Sequence, residues 1–104
     1  MINLSDPYLS PKKEQITTKK ELTFIITLES NPTSGYIWVP SFDESFITLL
    51  SHKFHPNSSL VGSFGNDIFT FQAIQVGATR LSMSYKRNWE EFPIDQVAYI
   101  INII

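Results

Sequence analysis

The segment ELTFIITLES (21–30) limits the fold more than any other feature of the chain, because its apolar residues recur every second position. Leu22, Phe24, Ile26 and Leu28 share one face of an extended strand, while Thr23, Thr27 and Glu29 lie on the other. That period belongs to a half-buried strand, whereas an amphipathic helix needs 3.6. Ile25 sits on the second face, so the separation is imperfect. In TRLSMSYK (79–86), Leu81, Met83 and Tyr85 face in, and in IFTFQA (68–73) Phe69, Phe71 and Ala73 stand together. QVAYIINII (96–104) is apolar on both faces, as an interior strand of a covered sheet would be. Shorter strands are expected over 14–19, 36–39 and 46–53.

Seven such strands in one chain of 104 residues predict a single all-β domain over 1–104. Its expected form is an immunoglobulin-like antiparallel β-sandwich with Greek-key connections. With 42% apolar residues the chain can build one core unaided, and with no cysteine it has no disulfide, thiolate nucleophile or Cys-ligated zinc. Trp38, on the third strand, is expected to fill the space between the sheets. The first dozen residues, with Pro7 and Pro11, read as a loose arm or an irregular edge strand.

A formal charge of −2, without long charged runs, offers no footprint for nucleic acid or an anionic membrane. No apolar run approaches the roughly 20 residues that span a bilayer, so no membrane insertion is expected. The opening lacks the pattern of a secretory signal, so a cytoplasmic location is the expectation, with lysosome-like or phagosomal vesicles as the other setting. The glycosylation pattern NSS (57–59) is short enough to arise by chance.

If successive strands alternate in direction, the connections at 30–35, 54–67 and 87–95 gather at one pole. They hold SNPTSG, HPNSSLVGSFGN and RNWEEFPID, with three of the four glycines, a Trp and an Arg. The opposite pole has KK, PSFDES and QVGA. Loops on a rigid scaffold carry function more often than the scaffold itself. Pro32 fixes its own φ and pushes Asn31 toward an extended conformation. Gly35 can take a positive φ, and the Asn31 side chain can close the turn on nearby backbone. Thr33 and Ser34 are small hydroxyl residues with no visible activating partner.

Three motifs in order, NPTSGY (31–36), GSFG (62–65) and RNW (87–89), make the chain resemble the chagasin-like inhibitors of papain-family cysteine proteases. The resemblance runs from the second strand to the end. Asn88 stands where that family usually has proline, which implies a less stiff third loop. The resemblance implies a wedge: Asn31, Pro32, Thr33, Ser34, Gly35 and Tyr36 enter the protease cleft over its catalytic Cys and His. Gly62, Ser63, Phe64 and Gly65 grip one side; Arg87, Asn88 and Trp89 grip the other. Trp89 is then the binding anchor, and Arg87 donates a charge-assisted hydrogen bond to the protease.

Each motif also has a plainer reading. NPTSG alone is an ordinary turn, the Gly pair alone a turn former, and Trp89 a plug over the open end of the sandwich. Tyr36 and Trp38, at a strand start, read as core before contact. His52 and His55 fall on opposite faces of a strand, which disfavours a metal site. DES (43–45) and EE (90–91) read as solvated acidic turns. With no acid–base, nucleophile or metal-ligand constellation assembled in the sequence, no catalytic residue, metal or cofactor is expected, and the convergence of three loops on one pole favours a binding protein, expected as a monomer, over an enzyme. Its expected partner is a papain-family cysteine protease; the alternative is an immunoglobulin-like adhesion module recognising another protein or a carbohydrate.

Overall fold

The computed structural model describes residues 12–57 and 64–104. Among them run seven strands: β1 (Lys12–Thr18), β2 (Thr23–Ser30), β3 (Ile37–Phe42), β4 (Ile47–Pro56), β5 (Gly65–Ala73), β6 (Gly77–Lys86) and β7 (Asp95–Ile103). One sheet has the order β1-β7-β6-β3 and the other β2-β5-β4. The immunoglobulin-like sandwich is therefore present.

The alternating residues do what their period demands. Ile26, Ile47, Phe69, Phe71 and Ala73 from the three-stranded sheet meet Trp38, Leu81, Met83, Tyr99, Ile101 and Ile103 from the other. Phe71 and Phe42 make an edge-to-face contact at 5.3 Å between sheets. Burying one such ring fully contributes about 1.5–3 kcal/mol, so Phe69 and Phe71, both fully enclosed, weigh heavily in the core. Trp38 is 6% exposed, as expected, and its Nε1 donates to the Glu29 carbonyl at 3.1 Å. That bond satisfies the indole in the core and ties β3 to the end of β2.

Two expectations are corrected. The sandwich is not wholly antiparallel, because β1 runs parallel to β7 from Lys12↔Val97 to Thr18↔Ile103. Both are odd-numbered strands of an up-and-down path, so they can pair only in parallel, and the pairing covers the otherwise open edge of β7. Leu22 is not on the inner face: it precedes β2, is exposed, and its N–H donates to the Lys19 carbonyl. There the chain turns through Glu21 with φ 78°, and the strand period starts one residue later.

The pairings confirm the alternation of strand directions, with β2, β4 and β6 opposed to β3, β5 and β7. The β2–β3, β4–β5 and β6–β7 connections thus share one pole. At the other pole Asp43 accepts from the Ser45 hydroxyl at 2.6 Å and the Ser45 N–H at 2.9 Å. These bonds, the hydroxyl first, hold its carboxyl below the usual range and make DES a closed turn.

Candidate functional site

The β2–β3 connection is a single 3-10 turn, Pro32–Ser34, and each of its residues has a definite part. Asn31 is extended, with φ −129° and ψ 102°, as a residue before proline should be. Its Oδ1 accepts from the Thr33 N–H at 3.1 Å and the Thr33 hydroxyl at 2.7 Å. The Ser34 hydroxyl donates to the Asn31 carbonyl at 2.7 Å and accepts from the Tyr36 N–H at 3.2 Å. Gly35 closes the turn at φ 84°, a conformation that costs other residues about 1–2 kcal/mol. Pro32, Thr33 and Gly35 are exposed, while Asn31 and Ser34 are half-buried and hold the turn together.

A column of stacked groups carries this turn on the core. Trp38 stacks on Tyr85 with centroids 4.7 Å apart, and Tyr85 on Tyr36 at 5.4 Å. The Arg87 guanidinium lies 4.4 Å from the Tyr36 centroid and 5.8 Å from that of Trp89. The Tyr85 hydroxyl also accepts from the Asn31 N–H at 3.2 Å. From a Trp that is 6% exposed to one that is 76% exposed, the column links the sheet interior to the loop surface.

Arg87 is the joint between the first and third loops. Its Nε donates to the Ser34 carbonyl at 3.4 Å and lies 3.8 Å from Glu90 Oε1. The first distance is long for an N–H···O bond and the second is an ion pair without a hydrogen bond. A half-exposed ion pair of this kind contributes about 0–1 kcal/mol. The stack on Tyr36, about 0.5–2 kcal/mol, carries at least as much. Arg87 thus also has a part within the molecule, holding the third loop to the first. The loop is further closed by Glu90 N–H to the Arg87 carbonyl at 3.1 Å and Ile94 N–H to the Tyr85 carbonyl at 2.9 Å. Trp89 projects outward rather than plugging the sandwich, and Asn88 is exposed beside it.

The second loop is shorter than expected, because β4 extends to Pro56 and β5 begins at Gly65. Gly62 and Ser63 lie outside the described residues. Phe64 is exposed, and its carbonyl accepts from the Asn57 N–H at 2.9 Å. Gly65 is not a loop-tip residue but a buried strand residue, paired with Ser30 and Pro56. The cause is steric: a side chain there would run into the His55 carbonyl oxygen and the Phe54 ring. The pairing sets the adjoining ends of β4 and β5 beside the base of the first loop.

Beside the first loop lies a cavity of about 160 Å³ whose lining includes Ser30, Pro32, Trp38, Phe54 and Asp67. The Ser30 hydroxyl is buried there without a hydrogen-bond partner among the described residues. Asp67 Oδ1 is 2.7 Å from His52 Nε2, and the His52 ring stacks on Phe69 at 4.1 Å. This His–Asp pair joins neighbouring strands and was not visible in the sequence, because the register of β4 against β5 shifts between Leu49 and Ser51. Phe92 and Ile94 in the β6–β7 loop, which belong to none of the three motifs, are both well exposed.

With this geometry in place, comparison with known proteins is direct. The description "Chagasin family peptidase inhibitor I42" matches residues 17–103. The chain belongs to that family. Its members are peptidase inhibitors, not enzymes. Chagasin from Trypanosoma cruzi is 33% identical over 70 residues, a match covering 62% of this chain and 64% of chagasin's own length. Among solved structures, the cysteine protease inhibitor EhICP2 from Entamoeba histolytica has a TM-score of 0.73 at 21% identity, over 91% of this chain and all 100% of that one. Amebosin has a TM-score of 0.59 at 23% identity, over 91% of this chain and 100% of its own. PbICP-C, solved in complex with falcipain-2, has a TM-score of 0.59 at 19% identity, over 99% of this chain and 94% of its own. At these identities the likeness to solved structures concerns the fold.

Proposed function

We propose that this chagasin-family protein is a reversible, tight-binding inhibitor of papain-like cysteine proteases that occludes the active-site cleft with loops from one pole. The observation that carries the reading is the union of the first and third loops through Arg87, beside a second loop whose base pairs with Ser30. In this reading Pro32, Thr33, Ser34 and Gly35 enter the cleft. Phe64 lies along one side, and Trp89 along the other.

The chemistry asked of the first loop is modest. A peptide bond is cut only when its carbonyl carbon can be aligned with the attacking thiolate. A 3-10 turn closed by a left-handed glycine holds its peptide bonds folded away from an extended, cleavable form. The internal hydrogen bonds of Asn31 and Ser34 fix this shape in the free protein, so little conformational entropy is lost on docking. Such interfaces bury about 1,600 Å² in total, an area three loops can supply. Inhibition then needs fit and exclusion of water, and no bond is made or broken.

The direct test mixes the purified protein with papain and follows hydrolysis of a fluorogenic peptide. Stoichiometric loss of activity that returns on dilution and capture of free inhibitor is expected. Undiminished hydrolysis at micromolar protein would overturn the reading and favour a binding module with another partner.

A further inference from the structure

The β6–β7 loop carries more apolar surface than the RNW motif accounts for. Phe92 is 76% exposed, the same fraction as Trp89, and Ile94 two residues on is 50% exposed. A single exposed apolar residue needs no explanation, but three within six positions of one loop concentrate the apolar chemistry that marks interaction surfaces. This patch sits on a closed loop. The Glu90 and Ile94 amides bond to the carbonyls of Arg87 and Tyr85, and Pro93 fixes φ beside Phe92. Two large rings are thus held outward at small entropic cost, which suits anchors.

The charges beside the rings have a sign. Arg87 is the loop's one basic residue, and its guanidinium lies over Tyr36 with its Nε near the Ser34 carbonyl and Glu90. Glu91 and Asp95 remain exposed on either side of Phe92. Lys86, the last residue of β6, is half-buried and paired with Ile37 in the sheet. Residues 87–95 therefore combine exposed aromatic rings with three carboxylates against a single guanidinium.

We propose that Phe92 is a second anchor of the third loop, and that it selects among papain-like proteases for those whose cleft rim bears an apolar surface flanked by basic side chains. The inference rests on the inhibitor reading above and adds to it a residue and a target preference. Apolar contact at Phe92 governs dissociation, whereas Glu91 and Asp95 act on encounter, where complementary charge raises association rates in a salt-dependent way.

The experiment measures inhibition and dissociation rates for wild type, Phe92→Ala and Glu91→Gln. The panel is papain and further papain-family proteases chosen for apolar rims with or without basic neighbours. Phe92→Ala is expected to speed dissociation about 10- to 100-fold from targets with an apolar rim and to change others less than about threefold. Glu91→Gln is expected to slow association with basic-rimmed targets at low salt and to have no such effect at high salt. A photo-crosslinking p-benzoylphenylalanine at position 92 is expected to label the protease, a result that does not depend on any loss of affinity. An equal fold-change in dissociation rate from wild type to Phe92→Ala across a panel that wild type inhibits, or absence of the crosslink, overturns the proposal and leaves the inhibitor reading standing. Failure of wild type to inhibit any member overturns both.

Discussion

Arg87 Nε lies 3.4 Å from the carbonyl oxygen of Ser34, and through this pair the β6–β7 loop is held against the β2–β3 turn. The same guanidinium covers the Tyr36 ring and faces Glu90, so three weak contacts act on one rigid planar group. Lysine has the charge but not the plane or the fork. Arg87→Lys should therefore weaken protease inhibition by about tenfold, equivalent to about 1.4 kcal/mol. Its Tm should fall by no more than about 4–8 °C, the shift expected for a loss of about 1 kcal/mol in a domain of this size, since the contacts are weak and lie outside the core. Titration of papain with both proteins, alongside a melting curve, checks this.

Thr33 and Ser34 are adjacent but should respond differently to substitution. Thr33 is exposed, so Thr33→Arg should leave Tm nearly unchanged while a charged side chain obstructs entry into the cleft and raises the inhibition constant at least 100-fold, or about 2.7 kcal/mol. Ser34 is half-buried and its hydroxyl makes two hydrogen bonds that shape the turn. Ser34→Ala should cost about 1 kcal/mol of stability as well as affinity. Urea unfolding of the two variants separates the roles. Equal loss of stability from both would make the whole turn structural.

The two described loop-pole glycines make opposite demands. At Gly35 a methyl group would meet only Arg87 Nε, at an ordinary 3.7 Å, so Gly35→Ala costs chiefly the backbone strain of φ 84°, about 1–2 kcal/mol. Gly35→Asn should recover part of that loss, because Asn tolerates the left-handed region. At Gly65 the obstruction is the His55 backbone oxygen, which cannot rotate away. Gly65→Asn should be no better than Gly65→Ala, and each should lose about 1–3 kcal/mol or more through overpacking. Comparison of the four variants by thermal or urea denaturation is the check.

Tyr99 provides an alkaline signature. Burial between the sheets, then the Glu14 carboxylate nearby, raise its phenol above the ordinary value of 10.0. The group stays neutral in the folded protein at pH values where the unfolded chain already ionises it. Its contribution to stability is therefore complete below pH 10 and falls as pH rises through the folded-state value. Tyr99→Phe should flatten the decline in stability between pH 9 and 11, seen as a smaller difference in urea midpoint than in wild type.

The period-two segments make most of the fold legible in the sequence. The inner residues of β5 and β6 were assigned correctly because nothing interrupts their alternation. The β2–β3 turn was equally readable, since Pro32 and Gly35 constrain their own backbone and Asn31 acts on atoms two residues away. What was missed depends on partners distant in sequence. Arg87 and Ser34 are 53 positions apart, and only the folded sheet reveals that the guanidinium is engaged internally. The bulge that sets His52 beside Asp67 and the register that buries Gly65 are likewise properties of strand pairing. Phe92 is not legible in the sequence, because no motif contains it and exposure cannot be read from a loop's composition.

The parallel pairing of β1 with β7 decides how the molecule can be tethered. Because Lys12 lies opposite Val97, two residues into β7, the chain enters the sandwich beside the RNW loop. Ile104, bonded to Thr18 and Lys20, leaves it at the far end. A reporter, affinity handle or surface linkage joined after Ile104 would leave the wedge unobstructed. The same cargo joined close before Lys12 would crowd the approaching enzyme.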